Sequence, residues 1–211
     1  MTARSVSFAF LCEGSSDTGL IAHLETLLVH FGAQEVTGMP DTRKGTIPDR
    51  LRQLRTEEIG TGIDMVFIHR DSDGPDREGR EREIRRGVEE SGFPHPFIPV
   101  IPVQETEAWL LLDEQAIRDV VACPKGKQSL RLPKPNAIEG TRKPKEILQK
   151  ALLAASETSG RRLKKEKNSF NHHRRVLLQR LDPFGAVRNL PSWQCLERDI
   201  QRALAQLENQ N

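Results

Sequence analysis

Two groups of carboxylates stand just past short apolar runs. Residues 6–12 (VSFAFLC) lead into Glu13-Gly14-Ser15-Ser16-Asp17, and residues 65–69 (MVFIH) lead into Arg70-Asp71-Ser72-Asp73-Gly74. Both runs read as buried strands. Acids placed after the carboxyl ends of parallel strands collect at one edge of the sheet, where α/β proteins put their sites. Carboxylates held that close repel one another unless a cation lies among them. All the donors are hard oxygens, so the expected ion is Mg2+ or Mn2+ rather than zinc. Alternate residues on an extended backbone point the same way, so Asp71 and Asp73 are expected to face one metal cluster.

Each motif also has a purely structural use. Asp17 suits the N-cap of a following helix, and Gly14 suits the turn into it. Neither use explains Glu13, a charge at the end of a buried strand. Asp71-Ser72-Asp73-Gly74 would also serve as an ordinary turn. It is not the start of an EF-hand, because Pro75 takes the next ligand position and Asp76 stands where that loop needs glycine.

The elements that must hold these groups alternate through the first hundred residues. After the first strand comes an amphipathic helix at about 18–31, with Leu20, Ile21, Leu24, Leu27 and Leu28 on one face. A weak strand at 34–39, a helix at 47–58, the strand 65–69 and a charged helix around 80–90 follow. Residues 97–103 (FIPVIPV) form a further strand whose prolines suit a sheet edge. Alternation of this kind predicts an α/β fold, a Rossmann-like, mostly parallel sheet covered on both faces. Beyond residue 103 the pattern turns helical, at 105–112, 113–121, 145–155, 170–181 and 193–207, with Ser192 as an N-cap. Residues 123–142 read as a basic loop and 156–169 as a polar, mobile stretch. The expected division is an α/β domain over 1–112 and a helical, basic region over 113–211 packed on it.

The chain has 211 residues, 36% hydrophobic and 29% charged, which is polar but enough to bury a core. No stretch approaches membrane-spanning length, and the N-terminus has no secretory pattern. Cys12, Cys123 and Cys195 are odd in number and far apart, so neither a disulfide framework nor a zinc site is expected. A reducing cytoplasm fits that usage.

Net charge is +2, yet residues 122–175 hold 15 Lys/Arg against 4 Asp/Glu, a surplus of 11 that leaves −9 elsewhere. An acidic half suited to cations is joined to a basic half suited to polyanions. A basic surface often serves solubility alone. Beside a candidate metal site it points instead to a nucleic-acid phosphate backbone. Arg161, Arg162, Lys164, Lys165, Lys167, Arg174 and Arg175 are the candidates for that contact, and Lys165, Lys167, Arg174 or Arg175 for stabilising charge on phosphate. His172-His173 is adjacent, poorly spaced for helical chelation, and reads as surface or a phosphate contact rather than a zinc site.

The set Glu13-Gly14-x-x-Asp17 and Asp71-x-Asp73 resembles the TOPRIM domain of topoisomerases, bacterial primases and nucleases of the overcoming-lysogenization-defect and maturase types, over about residues 6–103. Residues 101–113 (IPVQETEAWLLLD) and Leu190-Pro191-Ser192-Trp193 resemble a small prokaryotic TOPRIM-like family, domain-of-unknown-function family 4276, across nearly the whole chain. The resemblance implies that Glu13 acts in acid/base or metal-binding work. It implies that Asp71 and Asp73 are paired metal ligands and Asp17 an additional acid of a two-metal nuclease site. A further acidic ligand is then expected from Glu105 or Glu107, and Glu107 lies inside the family-like QETEAW stretch. An acidic first turn favouring the helix dipole is its ordinary alternative.

The chain contains no tyrosine, so it lacks the nucleophile of a topoisomerase. Its length leaves no room for a primase's further domains. The resemblance therefore implies a Mg2+- or Mn2+-dependent nuclease, with an ATPase partner in an anti-phage or genome-maintenance setting. A non-catalytic metal- or nucleotide-binding regulatory subunit is the alternative. A small-molecule phosphotransferase is disfavoured, because no P-loop occurs. Two-fold association is the default expectation.

Overall fold

A computed structural model of the protein describes residues 5–57 and 62–209. Four parallel strands form one sheet in the order β2-β1-β3-β4. They are β1 (Ser5–Leu11), β2 (Glu35–Asp41), β3 (Met65–His69) and β4 (Phe97–Val100). β1 lies between β2 and β3, with Phe10 opposite Pro40 on one side and Phe67 on the other. β4 pairs with β3 and lies at the sheet edge, where Pro99 leaves no interior ladder bond unmade. The chain steps outward from β1 to β2 and outward from β3 to β4. The β1–β3 boundary is therefore the point where the winding reverses, and a crevice opens there at the carboxyl ends.

Side-chain alternation divides the core. Val6, Phe8 and Phe10 of β1 and Met65 and Phe67 of β3 face one layer, while Ala9, Leu11, Val66 and Ile68 face the other. The second layer is closed by α2 (Ile47–Thr56) and α3 (Arg77–Ser91), through Ile47, Leu51, Leu54, Ile84 and Val88. The expected helix 47–58 ends at Thr56, and Glu58 lies outside the described residues.

The first layer is closed by α1 (Ile21–His30) and by the later helices. These are α4 (Glu107–Leu110), α5 (Glu114–Val120), α6 (Pro144–Ala155), α8 (Phe170–Arg180) and α9 (Pro191–Asn209), while α7 (Gly160–Asn168) packs on α6 and α8 outside that cluster. Trp109 of α4 and Trp193 of α9 meet edge to face at 4.9 Å, the favoured aromatic geometry. One apolar cluster runs from Phe8 and Phe10 of the sheet through these tryptophans to Leu207.

Three local expectations are corrected. Residues 156–169, expected without regular structure, include a helix: residues 160–168 form α7, with Leu163 and Glu166 half-buried on one face and the cations outward. The last helix begins at Pro191, whose fixed φ and missing N–H suit a first helical position. Ser192 is thus not its N-cap but lies buried, accepting from Trp109 Nε1 at 3.0 Å. The helix expected from residue 18 is preceded by a 3-10 segment, Ser15–Leu20, which turns Asp17 inward.

Candidate functional site

Glu13 leaves the end of β1 and Asp71 leaves the end of β3, so the two acids flank the crevice at the reversal point. Asp17, in the 3-10 segment after β1, is 6% exposed. Glu107 opens α4 and is 3% exposed. Their closeness is felt most at Asp71. Burial, then the charges of Glu107, Glu13 and Asp17, push its carboxyl up to about 8, against the hydrogen bond from Thr106. Four of the acids expected in one site therefore act on one another.

Asp73 does not join them. Past β3 the backbone keeps bonding to the end of β4 and the segment after it, from Arg70 to Val100 and from Ser72 to Pro102, and then Asp73 turns into the left-handed region at φ 54°. That turn ends the alternation on which a shared direction for Asp71 and Asp73 depended. The side chain of Asp73 is 71% exposed and meets Arg80 Nη2 at 2.7 Å. Asp and Asn tolerate this conformation better than most residues. Glu105 is also turned away, accepting from the backbone N–H of Lys145 at 3.1 Å.

A cation already lies among the acids, and it belongs to the protein. Arg174 of α8 donates from Nε to Glu107 Oε1 at 2.8 Å and from Nη2 to Asp17 Oδ1 at 2.8 Å. It also donates from Nη1 to the Ser16 carbonyl at 3.1 Å. Burial works against its charge, but Glu107 and Asp17 outweigh burial and raise its pKa. Arg174 is thus not an exposed contact of the basic arm. Glu13 has its own partner, Arg70, whose Nη1 lies 2.8 Å from Oε1.

The other expected cations are exposed: Arg161, Arg162, Lys164, Lys165 and Lys167 along α7, and Arg175 on α8. His172 is exposed as expected, whereas His173 is buried and lies 3.8 Å from Glu166. α8 packs against the 3-10 segment that carries Asp17, so it adjoins the acidic crevice, and α7 packs in turn on α8.

Sequence reasoning missed three participants. His69, the last residue of β3, is 1% exposed, and its Nε2 lies 3.0 Å from Thr106 Oγ1. Thr106 donates to Asp71 Oδ1 from its backbone and its hydroxyl. Arg70 holds Glu13. A polar residue ending an otherwise apolar strand was the available signal for His69, whereas Thr106 and Arg70 became visible only through contacts across elements. Behind the site, Asp41 ends β2. Burial would raise its carboxyl, but hydrogen bonds from Arg43 and the charges of Arg50 and Arg43 hold it below the usual range.

As these side chains stand, no three His, Cys, Asp or Glu among the described residues converge tightly enough to hold an ion. The donor chemistry nevertheless suits a hard divalent cation: every acid offers oxygen, and Asp71 cannot readily ionise among its neighbours without added positive charge. Among the described residues, no helix is long and apolar enough to cross a membrane. The family model for a domain of unknown function, DUF4276, matches residues 12–183. No curated protein and no solved structure matches the chain.

Proposed function

The chain belongs to the DUF4276 family, and from that premise we propose that it is a divalent-metal-dependent nuclease of TOPRIM type. The observation that carries this reading is the gathering of acids at the β1–β3 crevice, where Arg174 bridges Asp17 and Glu107 and Thr106, next to Glu107, binds Asp71. Glu13, Asp17, Asp71 and Glu107 would hold Mg2+ or Mn2+, and Asp73 would join them only if its pair with Arg80 opened. The bound ion would supply Lewis acidity and an activated water for attack on phosphorus.

The residues themselves divide the remaining work. Glu13 is the most solvent-accessible acid of the group, with its side chain 31% exposed. Released from Arg70, its carboxylate would accept a proton from an incoming water. Asp71 is fixed through Oδ1 by Thr106. Arg174 holds Asp17 and Glu107 in place, and its charge would help stabilise a phosphate bound there. The exposed cations of α7 and Arg175 would grip the flanking backbone.

The test is cleavage of single- and double-stranded DNA and RNA in Mg2+ and separately in Mn2+, with EDTA and Asp71→Asn as controls. Metal-dependent cleavage that both controls abolish is the expected outcome. Undiminished cleavage by Asp71→Asn contradicts the assignment.

Arg174 itself favours a second reading. It already supplies charge to two of the four acids, so the crevice is partly satisfied without a metal. A non-catalytic subunit that binds nucleic acid or nucleotide beside an ATPase partner would use it that way. Binding of nucleic acid with no turnover in either metal would select that reading.

A further inference from the structure

We propose that His69 and Thr106 are positioning residues, forming a hydrogen-bond relay that fixes Asp71 with Oδ1 tied to the protein and Oδ2 left for a ligand. The inference rests on the reading of the carboxylate crevice given above, and its test can fail separately from that reading.

Thr106 addresses the same oxygen twice. Its backbone N–H lies 3.0 Å and its hydroxyl 3.2 Å from Asp71 Oδ1. On the other side of that hydroxyl, His69 Nε2 lies 3.0 Å from Thr106 Oγ1 and 3.6 Å from Asp71 Oδ1. Thr106 is 0% and His69 1% exposed, so water does not compete for these bonds.

The donor count then fixes the direction. Oδ1 already accepts the Thr106 amide; with the carboxyl proton, when present, on the outward Oδ2, Oδ1 takes the hydroxyl proton as well. A threonine hydroxyl has only one proton to give. Its oxygen must therefore accept from His69, which requires the tautomer protonated at Nε2. The chain of donors runs from His69 Nε2–H to Thr106 Oγ1–H to Asp71 Oδ1.

One further observation agrees with this assignment. Nδ1 of His69 is buried with no hydrogen-bond partner among the described residues. An apolar ring could pack in that place against Phe10 without leaving a polar atom unpaired. What the imidazole offers beyond packing is the Nε2 donor. The relay also joins two elements of the site, since His69 ends β3 and Thr106 directly precedes Glu107 of α4. It therefore sets the relation between Asp71 and Glu107 as well as the orientation of Asp71.

The experiment has two arms on the full chain. In the first, histidine-selective 15N NMR without metal reads the tautomer. His69 is expected to be protonated at Nε2 with a slowly exchanging proton, and Thr106→Val is expected to speed that exchange. An Nδ1-protonated ring, or an Nε2 proton indifferent to Thr106→Val, overturns the relay whether or not the protein binds metal.

In the second arm, calorimetric titration with Mn2+ reads the consequence. Thr106→Val and His69→Phe are expected to weaken binding by about 10- to 100-fold, the usual effect of losing a partner that orients a ligand. Thr106→Ser, which keeps the hydroxyl, is expected to recover most of it. Equal affinities in wild type and Thr106→Val would overturn the relay's role. Absence of Mn2+ binding in wild type would instead count against the crevice reading, leaving the tautomer to judge the relay. Thermal melts of each variant show that the fold is kept.

Discussion

Asp71 and Arg174 carry the two clearest consequences at the scale of single residues. Asp71 holds its proton more tightly folded than unfolded, its carboxyl being pushed up to about 8. A group of that kind contributes stability that is complete below the ordinary carboxylate range, fades as pH rises, and is gone above the raised value. Asparagine mimics the neutral form and can accept the same two bonds from Thr106. Metal-free Asp71→Asn is therefore expected to gain on wild type as pH rises from about 5 to about 8.5, by at least ~1 kcal/mol, or roughly 2–4 °C in Tm for a chain of this size. A gap that stays constant with pH would contradict the crowding. Arg174 bridges Asp17 and Glu107 in a buried triad. Removing one member of such a group typically costs about 3–5 kcal/mol, because the remaining charges are left uncompensated. Arg174→Ala is thus expected to melt well below wild type without metal. Mn2+ should raise its melting temperature by more than it raises that of wild type, because Asp17 and Glu107 then need another cation. Equal Mn2+ shifts in the two proteins would count against a cation site there.

At the scale of elements, the division of labour lies between strand ends and basic helices. The amphipathic periodicity of α1 and α2 and the apolar runs of β1, β3 and β4 were readable because they report one-sided or complete burial. α7 was not readable as a helix. Its cations face water, and only Leu163 and Glu166 turn partly inward, so the usual apolar stripe is missing. On the proposed reading, the exposed Arg161, Arg162, Lys164, Lys165 and Lys167 of α7 would bind phosphate in a way that depends on ionic strength. Removing one phosphate-binding cation should lower the slope of log affinity against log salt by about 1. Replacing Lys164 and Lys165 with glutamate is therefore expected to weaken nucleic-acid binding by at least ~10-fold and to flatten the salt dependence. Filter binding across a salt series checks this. An unchanged slope would assign α7 to solubility alone.

At the scale of the whole molecule, the strand order decides where chemistry can occur. β1 and β3 are neighbours while their connections run apart, so Glu13 and Asp71 meet at one crevice although 57 residues separate Arg70 from its partner Glu13. The alternation of elements made this edge legible in the sequence, and with it Glu13 and Asp71; Asp17 and Glu107 were added to the site by the family resemblance. What stayed hidden depended on single dihedral angles or on contacts between distant segments. The positive φ of Asp73 turns its carboxylate toward Arg80; the residue types allowed a turn there but did not say where that carboxylate would point. Arg174 reads as one more cation of a basic tract until α8 is seen packed against the segment carrying Asp17. His69 and Thr106 likewise become partners only when β3 and the start of α4 lie side by side. The central claim is that this crevice takes a divalent cation through Asp71. Its most direct test is calorimetric titration of Mn2+ into wild type and Asp71→Asn near neutral pH, repeated in buffers of different ionisation enthalpy. Saturable binding with proton release in wild type, and loss of both in Asp71→Asn, is the predicted result. Binding of equal strength in the two proteins, or none in wild type, would contradict it.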